Sequence, residues 1–303
     1  MRAVFSFWSK PFTAYKGRIW ASPLHHLLSW GLSVRLAQQH FDQVVLITDK
    51  PGKALLVDRL GLTFSDVSED LQQFHGVDPG WWAFGKLAAY SMQTEPFCHI
   101  DNDVFLWKPL PAALLASPVF TQCPEFFHTA QEWAGPAYIE EAFQAHTLDL
   151  PAEWTWARSL HAERFCEDNC GIVGGIDTEF LRYFSGLAMD LITNPQNLPA
   201  WDRFAEKEGF NMIVEQFLLN ACVRYHRAQP QSPFSRVNMA YLFPSFEQAY
   251  EEDRAARAGF THLLGDAKSH PEIMKRLEER MRWESPNFYR HCTRLHSSGY
   301  ATA

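Results

Sequence analysis

The first hundred residues alternate short apolar runs with helical stretches, and this alternation limits the fold more than any other feature of the chain. Residues 2–7 (RAVFSF) read as a strand. Ser22-Pro23 is a helix start, with serine as cap and proline in the first turn. Leu24, Leu28, Leu32 and Leu36 then recur every four residues along one helical face. Residues 43–48 (QVVLIT) form a buried β-branched strand, followed by the turn residues Asp49-Lys50-Pro51-Gly52. Residues 54–60 read as a helix closed by Gly61, residues 84–92 as another helix, and residues 97–100 as a strand that ends at acidic residues. Strands alternating with helices predict an α/β fold with a mixed, mostly parallel sheet and helices on both faces. In such sheets ligands bind beyond the carboxyl ends of the strands. Polar residues just after a strand therefore call for a functional reading.

The rest is less regular. Residues 124–165 are rich in Trp, His, Glu and Ala, with a short helix near 139–146, and read as an insertion over the sheet. Residues 170–176 (CGIVGGI) are a glycine-interrupted apolar strand, and 180–193 and 211–224 are helical. Residues 261–264 form a short strand or turn, and a charged helix over 271–283 precedes a polar tail. No internal repeat or long linker is visible.

Charge removes some function classes. With 27 Lys and Arg against 35 Asp and Glu, the net charge is −8, the wrong sign for non-specific binding to nucleic acid or anionic membrane. A phosphate-bearing ligand would need local help from lysines, a metal ion or backbone amides. No segment reaches the ~18 consecutive apolar residues of a membrane span. The first residues meet Lys10 and Pro11 too soon for a signal peptide, so a cytoplasmic protein is expected. The six cysteines are scattered, which fits a reducing compartment. Cys166 and Cys170 lie close together with His161 nearby, but no second ligand pair has zinc spacing, and buried thiols are expected. Aromatic residues make up 15%, enough for a rich core or for ring-lined pockets.

Five patterns carry chemistry. Asp101-Asn102-Asp103 ends an apolar strand, and continued extension would turn both carboxylates to one side, where hard cations such as Mg²⁺ or Mn²⁺ bind together with phosphate oxygens. In His262-Leu263-Leu264-Gly265-Asp266-Ala267-Lys268, the imidazole can complete a metal site, the glycine lets backbone approach phosphate, and the lysine adds charge to a diphosphate. Glu215-Gln216, followed by an apolar run, places two polar groups at the rim of the core. Asn169-Cys170-Gly171-Ile172-Val173-Gly174-Gly175 leaves room beside the backbone for a ligand or for a tight bend. Lys86 sits near the start of a helix, where a cation opposes the dipole unless it serves an anion. For each, a plain reading stands alongside: a solvated acidic turn, a satisfied histidine, a polar helix face, a bend in a buried strand, a surface lysine.

Taken in chain order, as Lys86-Leu87, Asp101-Asn102-Asp103, Asn169-Cys170-Gly171, Glu215 to Asn220 and His262 to Lys268, the five patterns resemble those of GT-A-fold glycosyltransferases, particularly the glycogenin and lipopolysaccharide galactosyltransferase family. That family shows a K-L helix, D-x-D, N-x-G, D-Q-x-x-L-N and H-x-x-G-x-x-K. The resemblance spans about residues 1–270, so it implies a single GT-A-type domain, with the insertion at 124–165 and a C-terminal helix and tail over 271–303. It implies a nucleotide-sugar donor, usually a UDP-sugar, and a Mn²⁺ ion, with Mg²⁺ as the alternative. Asp101, Asp103 and His262 would hold the ion. Lys86, Asn102, Gly265 and Lys268 would contact the donor. Asn169, Gly174, Gly175, Glu215 and Gln216 would line the sugar pocket, the last pair catalytically. The nucleobase would sit near Ser6, Phe7, Trp8 and Asp49. The acceptor, a saccharide or other glycan, would be shaped by Trp133, Tyr138, Trp154 and Trp156. Glu215 stands where the family has Asp, and Ser269-His270 where it has Pro-Trp, so the donor sugar is not carried over. Retention of anomeric configuration is the family's habit. The alternatives are a nucleotidyltransferase, for which no glycine-rich basic loop follows the first strand in Ser6 to Lys16, and a non-catalytic nucleotide- or carbohydrate-binding protein.

Overall fold

A computed structural model describes residues 1–15, 19–129 and 134–299. Lys16, Trp133 and the end of the tail lie outside the described residues. Eleven strands are described: β1 (Arg2–Phe7), β2 (Val44–Thr48), β3 (Asp66–Ser68), β4 (Phe97–Ile100), β5 (Val104–Leu106), β6 (Val119–Thr121), β7 (Pro124–His128), β8 (Arg164–Asp168), β9 (Ile172–Gly175), β10 (Met239–Tyr241) and β11 (Phe260–His262). The architecture is α/β with a mixed, mostly parallel sheet. The chain divides into two compact units. The first comprises residues 2–75, 100–110 and 255–303, and the second residues 76–99 and 111–254.

In the first unit β1, β2 and β3 lie side by side and parallel, with Ala3 opposite Val44 and Phe7 opposite Thr48. The apolar run of β2 is buried along its whole length, as a central strand of a covered sheet must be. The helix Pro23–Gln38 starts at the Ser22-Pro23 signal, but Ser22 makes no side-chain cap. Its hydroxyl pairs with His25 Nδ1 instead (2.9 Å). The leucine face widens into burial nearly all round, because the helices Pro271–Glu284 and Pro286–Ser297 pack on it. Gly31 is the point of closest approach: a Cβ there would lie 2.1 Å from the Phe288 ring. The expected polar tail is thus a helix, anchored by buried Phe288 and Cys292. Asp49 caps a short helix, Lys50–Lys53, in place of a plain turn. Gly61 ends the next helical segment with φ +73°, as its place predicts.

In the second unit the strand order is β10, β6, β9, β4, with β6 parallel to β10 and antiparallel to β9. The insertion is bracketed by the antiparallel pair β7 and β8 and carries the helices Pro136–Ala145 and Ala152–Leu160. Much of its aromatic content is core. Trp154 is fully buried, edge-on to Phe217 at 4.8 Å, and donates to Glu140 Oε1. Tyr138 is exposed. The helix Thr178–Thr193 is capped by Asp177, which accepts from the Phe180 amide. Residues 210–228 are helical throughout, but Ile213–Phe217 is a π-helical segment. Among the described residues, no helix is long and apolar enough to cross a membrane.

Candidate cation and anion site

The first unit brings Asp101, Asp103 and His262 together by a route other than strand alternation. Extension stops at Ile100, and residues 101–103 turn, the Val104 amide donating to the Asp101 carbonyl (3.0 Å). Two helix serines hold this turn from below: Ser29 Oγ donates to the Asn102 carbonyl and Ser33 Oγ to the Val104 carbonyl, both at 2.7 Å. β5 then pairs antiparallel with β11, which sets His262 opposite Val104, and the Leu263 amide donates to the Asp103 carbonyl (3.0 Å). One ligand atom from each of the three side chains falls within 4.8 Å of the others.

The surroundings are strongly charged. Lys268 Nζ lies 2.6 Å from Asp103 Oδ2, and His262 Nε2 lies 3.6 Å from Oδ1. Burial alone would push the Asp103 carboxyl up, but Lys268 and His262 outweigh it and hold the carboxyl well below the usual carboxylate range. Asp103 is therefore an anion despite being 5% exposed. Gly265, at φ +47°, opens the 3-10 turn Gly265–Lys268 that presents the lysine. The Lys268 carbonyl accepts from the Ala21 amide (3.0 Å), which ties this turn to the start of the helix Pro23–Gln38. Two carboxylates and an imidazole are a donor set suited to Mn²⁺ and compatible with Mg²⁺. Asn102, half-buried between the aspartates, has an Nδ2 without a hydrogen-bond partner.

Sequence reasoning passed over His26. It is 5% exposed, and burial brings its pKa down to about 3, with Asp103 opposing and Lys268 reinforcing the shift. The Trp30 indole N–H donates to His26 Nε2 (3.0 Å). Phe12 stacks on the ring at 4.4 Å, and Phe7 and Trp20 lie at 5.9 Å. The i, i+4 spacing of His26 and Trp30 is the trace it leaves in the sequence. Of the residues assigned to the nucleobase, Phe7 and Trp8 are buried and Ser6 is half-buried. Asp49 Oδ2 accepts from the Ser9 amide (3.0 Å) and hydroxyl (2.8 Å), while Oδ1 accepts from the Gly52 amide (2.9 Å). It fastens the end of β1 to the end of β2.

The second unit holds the other motif residues. Glu215, on the π-helical segment, has no exposure; Lys86 Nζ lies 3.0 Å from its Oε1 and the Tyr90 hydroxyl donates to the same oxygen (2.7 Å). Lys86 also donates to the Cys170 carbonyl (3.2 Å). The lysine that opposes the helix dipole thus serves a buried carboxylate. Glu215 Oε2 has no hydrogen-bond partner. Gln216 is 9% exposed. Asn169 donates to Glu125 Oε1 (2.6 Å) and accepts from the Gly171 amide (3.0 Å). Beside Gly174 and Gly175 lies protein backbone. A Cβ would come within 2.0 Å of the Phe97 carbonyl at the first and 1.9 Å of the Pro118 carbonyl at the second, which also has φ +154°. All six cysteines are free and buried, and burial pushes the Cys292 thiol up to about 12. Among the described residues, Asp101, Asp103 and His262 are the group placed to hold a metal ion.

Asp168, at the end of β8, is buried, and burial raises its carboxyl to about 7 against the pull of hydrogen bonds from Tyr241 (2.9 Å) and Asn220. The fold therefore holds the proton more tightly than the unfolded chain, whose carboxyl titrates near 3.8. The stability this contributes is complete below about pH 4 and is lost as pH rises through about 7. Urea denaturation should show a stability loss between about pH 4 and 7 that Asp168→Asn removes, with a slope of at most about 1.4 kcal/mol per pH unit. Parallel profiles for the two proteins would contradict this assignment.

No curated protein matches the chain. A family model does match, over residues 1–295, and is described as a family of unknown function, DUF6734. The chain, with its acidic turn and the His262 and Lys268 loop both inside the matched region, belongs to the DUF6734 family.

Proposed function

We propose that the protein is a metal-dependent glycosyltransferase of GT-A type that moves a sugar from a nucleoside-diphosphate sugar, a UDP-sugar in the first instance, to a glycan acceptor. The observation that carries this reading is the convergence of Asp101, Asp103 and His262 with the Lys268 ammonium in one place. Such a set takes up a hard cation together with an anionic oxygen ligand. The resemblance of the five motifs, taken in chain order, to those of GT-A glycosyltransferases supports the diphosphate of a sugar donor as that ligand.

The reaction breaks the bond between the anomeric carbon and a diphosphate oxygen and forms one from that carbon to an acceptor hydroxyl oxygen, whose proton leaves along with the nucleoside diphosphate; its transition state has oxocarbenium character. Asp101, Asp103 and His262 would hold the cation, which supplies positive charge to the departing diphosphate. Lys268 shares that task from the other side of Asp103, and its 3-10 turn holds it there before the donor arrives. Gly265 leaves open space beside its Cα, where backbone and ligand can come close. The roles of Asn169, Glu215 and Gln216 toward the sugar rest on motif order alone.

The test is release of a nucleoside diphosphate from a panel of nucleotide sugars with and without Mn²⁺. Mn²⁺-stimulated release from at least one donor is expected. No turnover and no thermal shift with any donor would overturn the reading. Binding without release would turn it toward a non-catalytic nucleotide-binding protein, and pyrophosphate release from a nucleoside triphosphate toward a nucleotidyltransferase.

A further inference from the structure

His26 holds a hydrogen-bond donor that the fold leaves unused. Its Nε2 accepts the Trp30 indole proton, so in the neutral ring the proton sits on Nδ1. The ring is neutral because burial brings its pKa down to about 3. Nδ1 is buried and has no hydrogen-bond partner. A buried N–H without an acceptor is costly and uncommon in native interiors. The rings of Phe12, Phe7 and Trp20 offer it no acceptor in the plane of the imidazole.

The location limits what could satisfy it. The charged groups whose fields reach the His26 ring are Asp103 and Lys268. The Lys268 carbonyl is tied to Ala21, five residues before His26. Asn102 Nδ2, in the acidic turn, is a second buried donor atom without a partner. Beside two carboxylates suited to a cation there are thus one ammonium and two spare neutral donors. That pattern calls for a ligand rich in anionic oxygen that arrives with the cation.

We propose that His26, as its Nδ1–H tautomer, donates a hydrogen bond to a phosphoryl oxygen of the diphosphate bound at the Asp101, Asp103, His262 and Lys268 cluster, with Trp30 locking the tautomer. This rests on the cation–diphosphate reading above and adds a residue to it. A neutral donor suits the place. A protonated imidazole would compete with the cation for Asp103, whereas a neutral N–H leaves that carboxylate to the cation and still rewards the anion.

The test uses the full chain and two probes, Mn²⁺ alone and inorganic pyrophosphate in saturating Mn²⁺, each measured by calorimetry. His26→Phe keeps a flat ring against Phe12 and removes the donor. It should bind Mn²⁺ within about twofold of wild type and pyrophosphate about tenfold more weakly, the loss of one charge-assisted hydrogen bond. His26→Asn, whose amide nitrogen falls near the place of Nδ1, should recover most of that loss. ¹⁵N NMR of the histidine rings in the unsubstituted protein should show His26 as neutral Nδ1–H, with its signal moving when pyrophosphate is added with Mg²⁺. Wild-type affinity for pyrophosphate in His26→Phe, or an Nδ1 signal that pyrophosphate leaves in place, would overturn the proposal while the cation reading stands. A wild-type protein that takes up neither Mn²⁺ nor pyrophosphate would overturn both.

Discussion

Lys268→Met should tighten the binding of Mn²⁺ measured without any anion, by about tenfold, and weaken pyrophosphate binding in saturating Mn²⁺ by at least as much. Asp103→Ala should weaken both, Mn²⁺ by about a hundredfold or more. The opposite signs follow from one contact. Lys268 Nζ sits 2.6 Å from Asp103 Oδ2 and neutralises the carboxylate that a cation needs. A cation arriving alone must share that oxygen with an ammonium and meets its repulsion at close range, where screening is weak because Asp103 is buried. A diphosphate changes the balance, since it gives Lys268 another anion to face. Removing the ammonium thus relieves the cation and deprives the anion. Removing Asp103 takes away a cation ligand and leaves Lys268 without its counter-ion. If Lys268→Met weakened Mn²⁺ alone, the lysine would be supporting the cation site and the account of its role would fail.

Glu215→Ala should destabilise the protein by about 3–5 kcal/mol, whatever it does to activity. Its carboxylate is inaccessible and faces Lys86 and Tyr90, while the Lys86 side chain is 12% exposed. Taking the carboxylate away costs the mostly buried ammonium its anion at 3.0 Å, while the bond to the Cys170 carbonyl at 3.2 Å stays. Desolvation of the ammonium then opposes the fold without that carboxylate to offset it. Replacing the pair together, Lys86→Met with Glu215→Leu, should recover most of the loss, because two apolar side chains of similar volume need no counter-charge. Urea denaturation of the two single variants and the double variant gives the coupling directly. A Glu215→Ala protein as stable as wild type would mean that the Lys86 contact contributes little, and Glu215 would then be free for a role toward a ligand.

The legible parts of the fold were those with long, uninterrupted patterns. Helix Pro23–Gln38 and strands β1, β2 and β4 follow from leucine spacing, β-branched runs and turn residues. β3, β5, β6 and β10 have three residues each, too few for a period to emerge, and β11, equally short, reads only as a strand or turn. The helix Pro286–Ser297 reads as a polar tail because two buried residues, Phe288 and Cys292, carry its attachment. In the site, residue types were legible and routes were not. Asp101 and Asp103 meet through a turn held by Ser29 and Ser33, and His262 joins them through the β5–β11 register, a pairing between distant segments that no local pattern encodes. Glycines show the same limit. Sequence marks Gly174 and Gly175 as places where something comes close to backbone; in the fold that something is the carbonyls of Phe97 and Pro118. His26 was illegible because its meaning lies in a tautomer set by Trp30 and in the field of Asp103 and Lys268.

The proposed function requires that Asp101, Asp103 and His262 hold one cation together with a nucleoside diphosphate. Crystals grown with Mn²⁺ and UDP, with anomalous data collected at the manganese edge, test it most directly. A single strong peak is expected within about 2.0–2.6 Å of an oxygen of each aspartate and a ring nitrogen of His262, with a phosphate oxygen completing its coordination and Lys268 turned to the diphosphate. A peak elsewhere, or His262 standing apart from an ion bound to the aspartates, would contradict it.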